Sequence, residues 1–133
     1  MSGPFAFLLV AVGGGLGAVA RFWLADTVKA RRTTVMPLGT IVVNTLGALT
    51  IGVVTGLVLT IGADGSLEGW RVFLATGICG GFTTFSTATV ESVTLARAGH
   101  LTRALINTFG TLVITVAAVA VGIGVVVLAT GGA

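Results

Sequence analysis

Charge is what this chain has least of. Only 8% of its 133 residues are Asp, Glu, Lys or Arg, where a soluble domain carries roughly a quarter. So few charges cannot cover the surface of a water-soluble fold, and the bilayer must be the solvent for most of the chain. Cysteine is nearly absent too: Cys79 stands alone, which excludes a disulfide framework and a cysteine metal cluster. A small apolar filler within a helix is the expected role of Cys79, and the single histidine, His100, reads as a solvated loop residue. No phosphate-binding loop, metal-ligand cluster or nucleophile–base constellation appears. Pumping driven by nucleotide hydrolysis within this chain, and enzyme chemistry generally, are not expected. The pI is near 10.6, but no basic run or aromatic–basic interleaving accompanies it. The seven Lys and Arg fit membrane topology better than nucleic-acid binding.

Apolar residues are what the chain has in excess. They make up 55% of it, and the mean hydropathy is +1.12. A membrane-crossing helix needs about 20 mostly apolar residues, so the length predicts an all-α fold of four spans, with no separate soluble domain. The charges and turn residues place the spans near residues 4–25, 37–62, 70–95 and 101–128. Ala18-Val19-Ala20 imitates a signal-cleavage site, but no basic residue precedes the apolar run. The first span is expected to be retained.

Basic residues divide unevenly between the two sides. Arg21, Lys29, Arg31, Arg32, Arg97 and Arg103 flank the first and third connections, and only Arg71 falls on the other side. The positive-inside rule puts those two connections in the cytoplasm of a cell-membrane protein and both termini outside. The 21 glycines fit close helix packing in lipid, where small residues let backbones approach. Gly13 and Gly17, and likewise Gly52 and Gly56, have the GxxxG spacing.

Polar groups at membrane depth need a partner or a task. Thr40 and Asn44 share one face of the second span, which Gly47 continues, and Asn107, Thr111 and Thr115 share a face of the fourth. Helix–helix hydrogen bonding explains such stripes as readily as conduction does. The third span is different. It reads Gly77-Ile78-Cys79-Gly80-Gly81-Phe82-Thr83-Thr84-Phe85-Ser86-Thr87, and the Gly80-Gly81 pair predicts an interior helix break. Broken helices bare backbone groups that build ion sites: carbonyls for a cation, amides for an anion. The stripes supply hydroxyl and amide donors with no mid-membrane cation, and the edges of Phe82 and Phe85 add partial positive charge. That inventory suits a small anion moving passively. Glu91 is the one carboxylate expected within a span, with Arg21 or Arg97 as its partner or, alternatively, a proton-carrying role.

Three strings carry a resemblance. They are Gly13-Gly14-x-x-Gly17-Ala18-x-x-Arg21, Pro37-x-Gly39-Thr40-x-x-x-Asn44-x-x-Gly47, and Gly80-Gly81-Phe82-Thr83-Thr84-Phe85-Ser86-Thr87 with Glu91 behind it. Together they cover nearly the whole length, and the chain resembles the Fluc (CrcB-type) fluoride channel family. The resemblance implies a subunit that pairs antiparallel with a second Fluc-type subunit, two fluoride pores, and a structural sodium ion that is not transported. It implies backbone carbonyls of Gly80 and Thr83 as sodium ligands. It implies Asn44, Phe85, Ser86 and Thr87 along the pore, with Thr40, Thr111 and Thr115 completing the polar lining.

Two positions depart from the family pattern. Ala88 stands where a second pore phenylalanine is usual, and Asn107 where a tyrosine is usual. The six-to-one charge bias suggests a reason: a subunit that inserts one way pairs with a homologue of opposite bias, which supplies the missing aromatics. A homodimer remains the simpler alternative. The function implied is passive export of fluoride that lowers its cytoplasmic concentration. The alternatives are a non-conducting scaffold subunit of a mixed dimer and a small multidrug-type transporter. The latter needs a carboxylate in the first span, which none of the four acids provides.

Overall fold

The computed structural model describes residues 1–131. Every regular element among them is helical: α1 (Gly3–Arg31), α2 (Leu38–Ile61), α3 (68–82), α4 (Phe85–Arg97) and α5 (Leu101–Ala129). Helix α1 opens with a proline in its first turn, where a missing N–H costs nothing, and closes with Lys29 and Arg31 against the negative end of its dipole. At about 1.5 Å per residue, its 29 residues run to roughly 43 Å, longer than a hydrocarbon core of about 30 Å. The helix therefore continues past the expected limit at residue 25. Phe22 and Trp23 are exposed just before that limit, and Trp70 is exposed at the start of α3. Exposed aromatic rings near the ends of membrane helices are of the kind that anchor at interfaces.

Helices α1, α2 and α5 are each long and apolar enough to cross a membrane. The third span, residues 70–95, forms two shorter pieces. Helix α3 stops at Phe82, Thr83 (φ −80°, ψ 156°) and Thr84 (φ −147°, ψ 119°) are extended, and α4 starts at Phe85. The interruption does not fall at the glycine pair, because Gly80 and Gly81 are both helical. Gly81 is needed for a different reason. A Cβ there would run into the backbone of Gly14 on α1.

Glycine sets both main helix seams. Between α1 and α3, a Cβ on Gly13 would lie 2.8 Å from the Phe73 carbonyl oxygen, and one on Gly17 would strike the Ile78 carbonyl. Residues Val72–Ile78 of α3 are π-helical along this seam. Between α2 and α5, Gly52 lies against the Val119 backbone. A Cβ on Gly122 would be 2.6 Å from the Leu49 carbonyl oxygen. Val43, Ala48, Val54, Cys79 and Val126 are buried around these seams. A left-handed Gly99 (φ 83°) ends the turn after α4, with its N–H on the Ala96 carbonyl.

Candidate functional site

A helix that stops inside the fold leaves its last four carbonyls and the next helix's first N–H groups without ladder partners. Here the local sequence supplies substitutes. The Cys79 carbonyl accepts from both the Thr83 N–H and the Thr83 hydroxyl, each at 2.9 Å. The Thr84 N–H, which would otherwise continue the helix onto Gly80, donates instead to Asn44 Oδ1 at 2.8 Å. Asn44 Nδ2 donates back to the Thr84 carbonyl at 2.9 Å. One side-chain amide on α2 thus pairs both backbone groups of Thr84. The Thr84 hydroxyl caps α4, accepting from the Thr87 N–H at 3.2 Å and donating to the Thr87 hydroxyl at 3.0 Å. Gly47, one turn along α2, makes room for the Thr83 methyl, which a Cβ there would strike.

Two cavities meet at Thr84. A groove of about 610 Å³ runs between α2, α4 and α5 and is lined by Asn44, Thr83, Phe85, Ala88, Thr111 and Thr115 among others. Phe85 stands at its edge, 87% exposed. The Thr111 hydroxyl is buried with no partner. Thr115 differs, since its hydroxyl bonds back to the Thr111 carbonyl at 2.8 Å. A second cavity, of about 510 Å³, is walled by Arg21, Asp26, Lys29 and Arg32 on one side and by Thr40, Thr87 and Glu91 on the other. Thr40 is 7% exposed and donates to Glu91 Oε1 at 2.8 Å. Because Thr84 lines both spaces, the Asn44–Thr84 pair stands where a mostly apolar groove carrying a few hydroxyl and amide groups adjoins a cation-rimmed cavity.

This arrangement can be set beside known proteins. A family model described as CrcB-like protein, Camphor Resistance (CrcB), matches residues 8–123, a stretch that holds every residue lining the groove and the cavity. The chain belongs to the CrcB family. It is 40% identical over 120 residues to the fluoride-specific ion channel FluC 1 of Leifsonia xyli subsp. xyli, covering 90% of this chain and 85% of that one. It is 42% identical over 114 residues to the fluoride-specific ion channel FluC of Pyrococcus furiosus, covering 86% and 89%. With a channel of the same description from Thermus thermophilus it shares 41% over 107 residues, covering 80% and 82%. With these relatives and its long apolar helices, this CrcB protein is a multi-pass membrane protein.

The residues singled out from sequence divide among the two spaces. Asn44, Thr83, Phe85, Thr111 and Thr115 line the groove, and Thr40 and Thr87 line the cavity. Ser86 lines neither. It is exposed beside Thr84, hydroxyl to hydroxyl at 3.4 Å. Gly80 also lies outside both, exposed on α3 with open space where a Cβ would stand. The expected pairing of Glu91 with Arg21 or Arg97 is replaced by the Thr40 hydroxyl.

Sequence reading missed two groups. Thr84 was visible only as one letter of a motif, yet it is the residue on which both cavities converge. Ser92 carried no signal, but its hydroxyl accepts from Asn107 Nδ2 at 2.8 Å and from Thr108 Oγ1 at 3.0 Å. Asn107 is 2% exposed and also reaches the Ala88 carbonyl at 3.4 Å. The spacing of Ser92 from Ala88, one turn apart on α4, was the available clue.

Proposed function

We propose that this CrcB protein is a fluoride-specific ion channel subunit through which fluoride leaves the cell passively, lowering its cytoplasmic concentration. The observation that carries the reading is the junction of groove and cavity at Asn44–Thr84, in a chain about 40% identical to proteins named fluoride-specific ion channels. Fluoride is small and strongly hydrated, so a pore must replace its water with close, hard donors. The unpartnered Thr111 hydroxyl, the second Asn44 amide hydrogen and the Thr87 hydroxyl are such donors. The Phe85 ring edge adds partial positive charge. No side-chain cation stands in the groove itself to trap the ion. Hydrogen fluoride enters neutral and dissociates inside, and the anion needs a separate exit.

In this reading the α3–α4 pair crosses the membrane as two half-helices, making four spans with both termini outside. A second Fluc-type subunit covers the groove and Phe85. One half of the pore wall then comes from each subunit, and the charge bias favours a homologous partner over an identical one. A structural sodium ion also fits the residues present. The Thr84 N–H that would close onto the Gly80 carbonyl is taken by Asn44, and the Thr87 N–H that would close onto Thr83 is taken by the Thr84 hydroxyl. The carbonyls of Gly80 and Thr83 would hold the ion at the negative end of α3. The ion would supply fixed positive charge there, and this chain supplies only the uncapped carbonyls.

The test is fluoride efflux from liposomes holding this subunit alone and then together with a homologous neighbour. Efflux in either case supports the channel. Efflux only with the partner supports a mixed dimer. Silence in both overturns conduction.

One observation favours a second reading, a scaffold that supports its partner's pores. Asn107 turns its amide inward onto Ser92 and Ala88, so neither contact serves a passing ion. If that reading holds, Ala88→Phe should raise fluoride flux.

A further inference from the structure

The turn between α4 and α5 carries two arginines and a histidine on a short, fixed loop. The Gly99 N–H donates to the Ala96 carbonyl at 3.1 Å, and the His100 N–H donates to the Leu95 carbonyl at 2.9 Å. Gly99 is left-handed (φ 83°), as this pair of bonds at a helix end requires. The bonds fix the backbone that presents Arg97, His100 and Arg103, and every residue from Ala96 to Arg103 is exposed.

Nothing nearby balances this charge. No acidic side chain follows Glu91 in the sequence, and Glu91 itself accepts the Thr40 hydroxyl at 2.8 Å and lines the cavity. Helix α2, which packs along α5, has no acid. Arg97, His100 and Arg103 line neither the cavity nor the groove, so neither space makes use of them. The basic segment after α1 differs, because Lys29 and Arg32 line the cavity and Asp26 stands with them.

Past the cations, the surface of α5 turns apolar. Leu101 and Leu105, one turn apart, are 61% and 49% exposed, and Ile106 and Phe109 follow at 56% and 60%. None of the four lines the groove. Helix α5 is long and apolar enough to cross a membrane, so its first turn lies near the level where hydrocarbon gives way to headgroups. Cations at that level, next to exposed apolar side chains, match the two parts of a phospholipid: an anionic phosphate and its acyl chains.

We infer that the α4–α5 turn is a binding site for an anionic phospholipid, with Arg97 and Arg103 holding its phosphate and Leu101, Leu105 and Phe109 lying along its acyl chains. A guanidinium meets phosphate oxygens with two parallel N–H donors, which suits arginine to this task better than lysine. A lipid fits better than a free phosphate ion because the apolar residues extend the site into the membrane. The inference needs only that the chain spans a membrane, and it stands whether or not fluoride is conducted.

The experiment is native mass spectrometry of the full chain in micelles holding equal amounts of phosphatidylglycerol and phosphatidylcholine, which share acyl chains and differ in net charge. The wild type should retain phosphatidylglycerol over phosphatidylcholine by about tenfold, a preference that two basic residues at a membrane surface can supply. Arg97→Gln combined with Arg103→Gln should lower the preference to about twofold or less. Lys29→Gln combined with Arg31→Gln removes the same charge elsewhere and should leave most of it. Glycerol phosphate, the anion without chains, should not displace the lipid at equal concentration.

Equal retention of the two lipids by the wild type overturns the inference. So does an equal loss of preference in the two double variants, since that would mean attraction by net charge alone. Displacement by glycerol phosphate would make the turn a site for free phosphate esters and overturn the lipid assignment. Should the Arg97→Gln, Arg103→Gln protein fail to fold, hydrogen exchange of the wild type in nanodiscs decides. Amides 97–103 should exchange more slowly in phosphatidylglycerol than in phosphatidylcholine, and equal rates overturn the inference.

Discussion

Asn44 and Thr84 exchange two hydrogen bonds, the asparagine amide giving to the threonine carbonyl at 2.9 Å and its oxygen receiving the threonine N–H at 2.8 Å. The side chain of one helix thus stands in for the missing ladder of another. Asn44→Leu would leave both Thr84 backbone groups unpaired. Each unsatisfied buried group costs about 1–3 kcal/mol, so a loss of roughly 2–4 kcal/mol is expected in the unfolding of detergent-solubilised protein, together with loss of flux. Asn44→Asp keeps the acceptor for Thr84 N–H and should lose less stability than Asn44→Leu. Equal losses would show that the pair does not hold the interruption.

Gly81, on the α1–α3 seam, and Gly15, on the exposed side of α1, make a controlled comparison. A Cβ on Gly81 meets the Gly14 backbone, while one on Gly15 meets nothing within 4 Å. Gly81→Ala should force the helices apart and cost more than about 2 kcal/mol. Gly15→Ala should be neutral or stabilise by about 0.5–1 kcal/mol, since alanine is the better helix former. Thermal scans of the two variants in one detergent check this. A Gly81→Ala protein as stable as wild type would contradict the seam.

These two sites show what sequence made legible. Membrane crossing followed from composition, and the glycine spacing pointed to the helices that touch. The position of the interruption did not follow from helix propensity. Gly80 and Gly81 are weak helix formers, but close packing on Gly14 holds Gly81 in the helix. The chain leaves helical geometry at Thr83 and Thr84 because Asn44, 40 positions away, offers better partners there. Propensity is local, and this competition is tertiary. For the same reason Glu91 was matched to the arginines nearest in charge, while the fold brings it the Thr40 hydroxyl.

Asn107 and Ser92 provide a test of the α4–α5 contact. Their hydrogen bond measures 2.8 Å, and Asn107 is almost wholly enclosed. A double-mutant cycle of Asn107→Ala and Ser92→Ala should return a coupling of about 0.6 kcal/mol, the average for interhelical side-chain hydrogen bonds in lipid, and no more than about 1.7 kcal/mol. Coupling near zero would mean that Thr108, which also reaches Ser92 at 3.0 Å, takes over when Asn107 is lost. The triple variant with Thr108→Val should then expose the missing energy.

Orientation is the property that decides between one kind of subunit and two. Antiparallel pairing of identical chains needs insertion in both directions, and short-loop charge sets direction. With six basic residues on one side and one on the other, a C-terminal reporter should appear on the outer face alone. Replacing Lys29, Arg31 and Arg32 by alanine leaves Arg21, Arg97 and Arg103 on the inner side. Adding Asp64→Lys and Ser66→Lys in the exposed outer loop then balances the two sides. That variant should insert both ways, and it should conduct fluoride without a partner if orientation was the only obstacle to self-pairing. If it inserts both ways yet stays silent alone, the obstacle lies in the groove, where Ala88 and the inward-turned Asn107 leave the wall for another chain to complete.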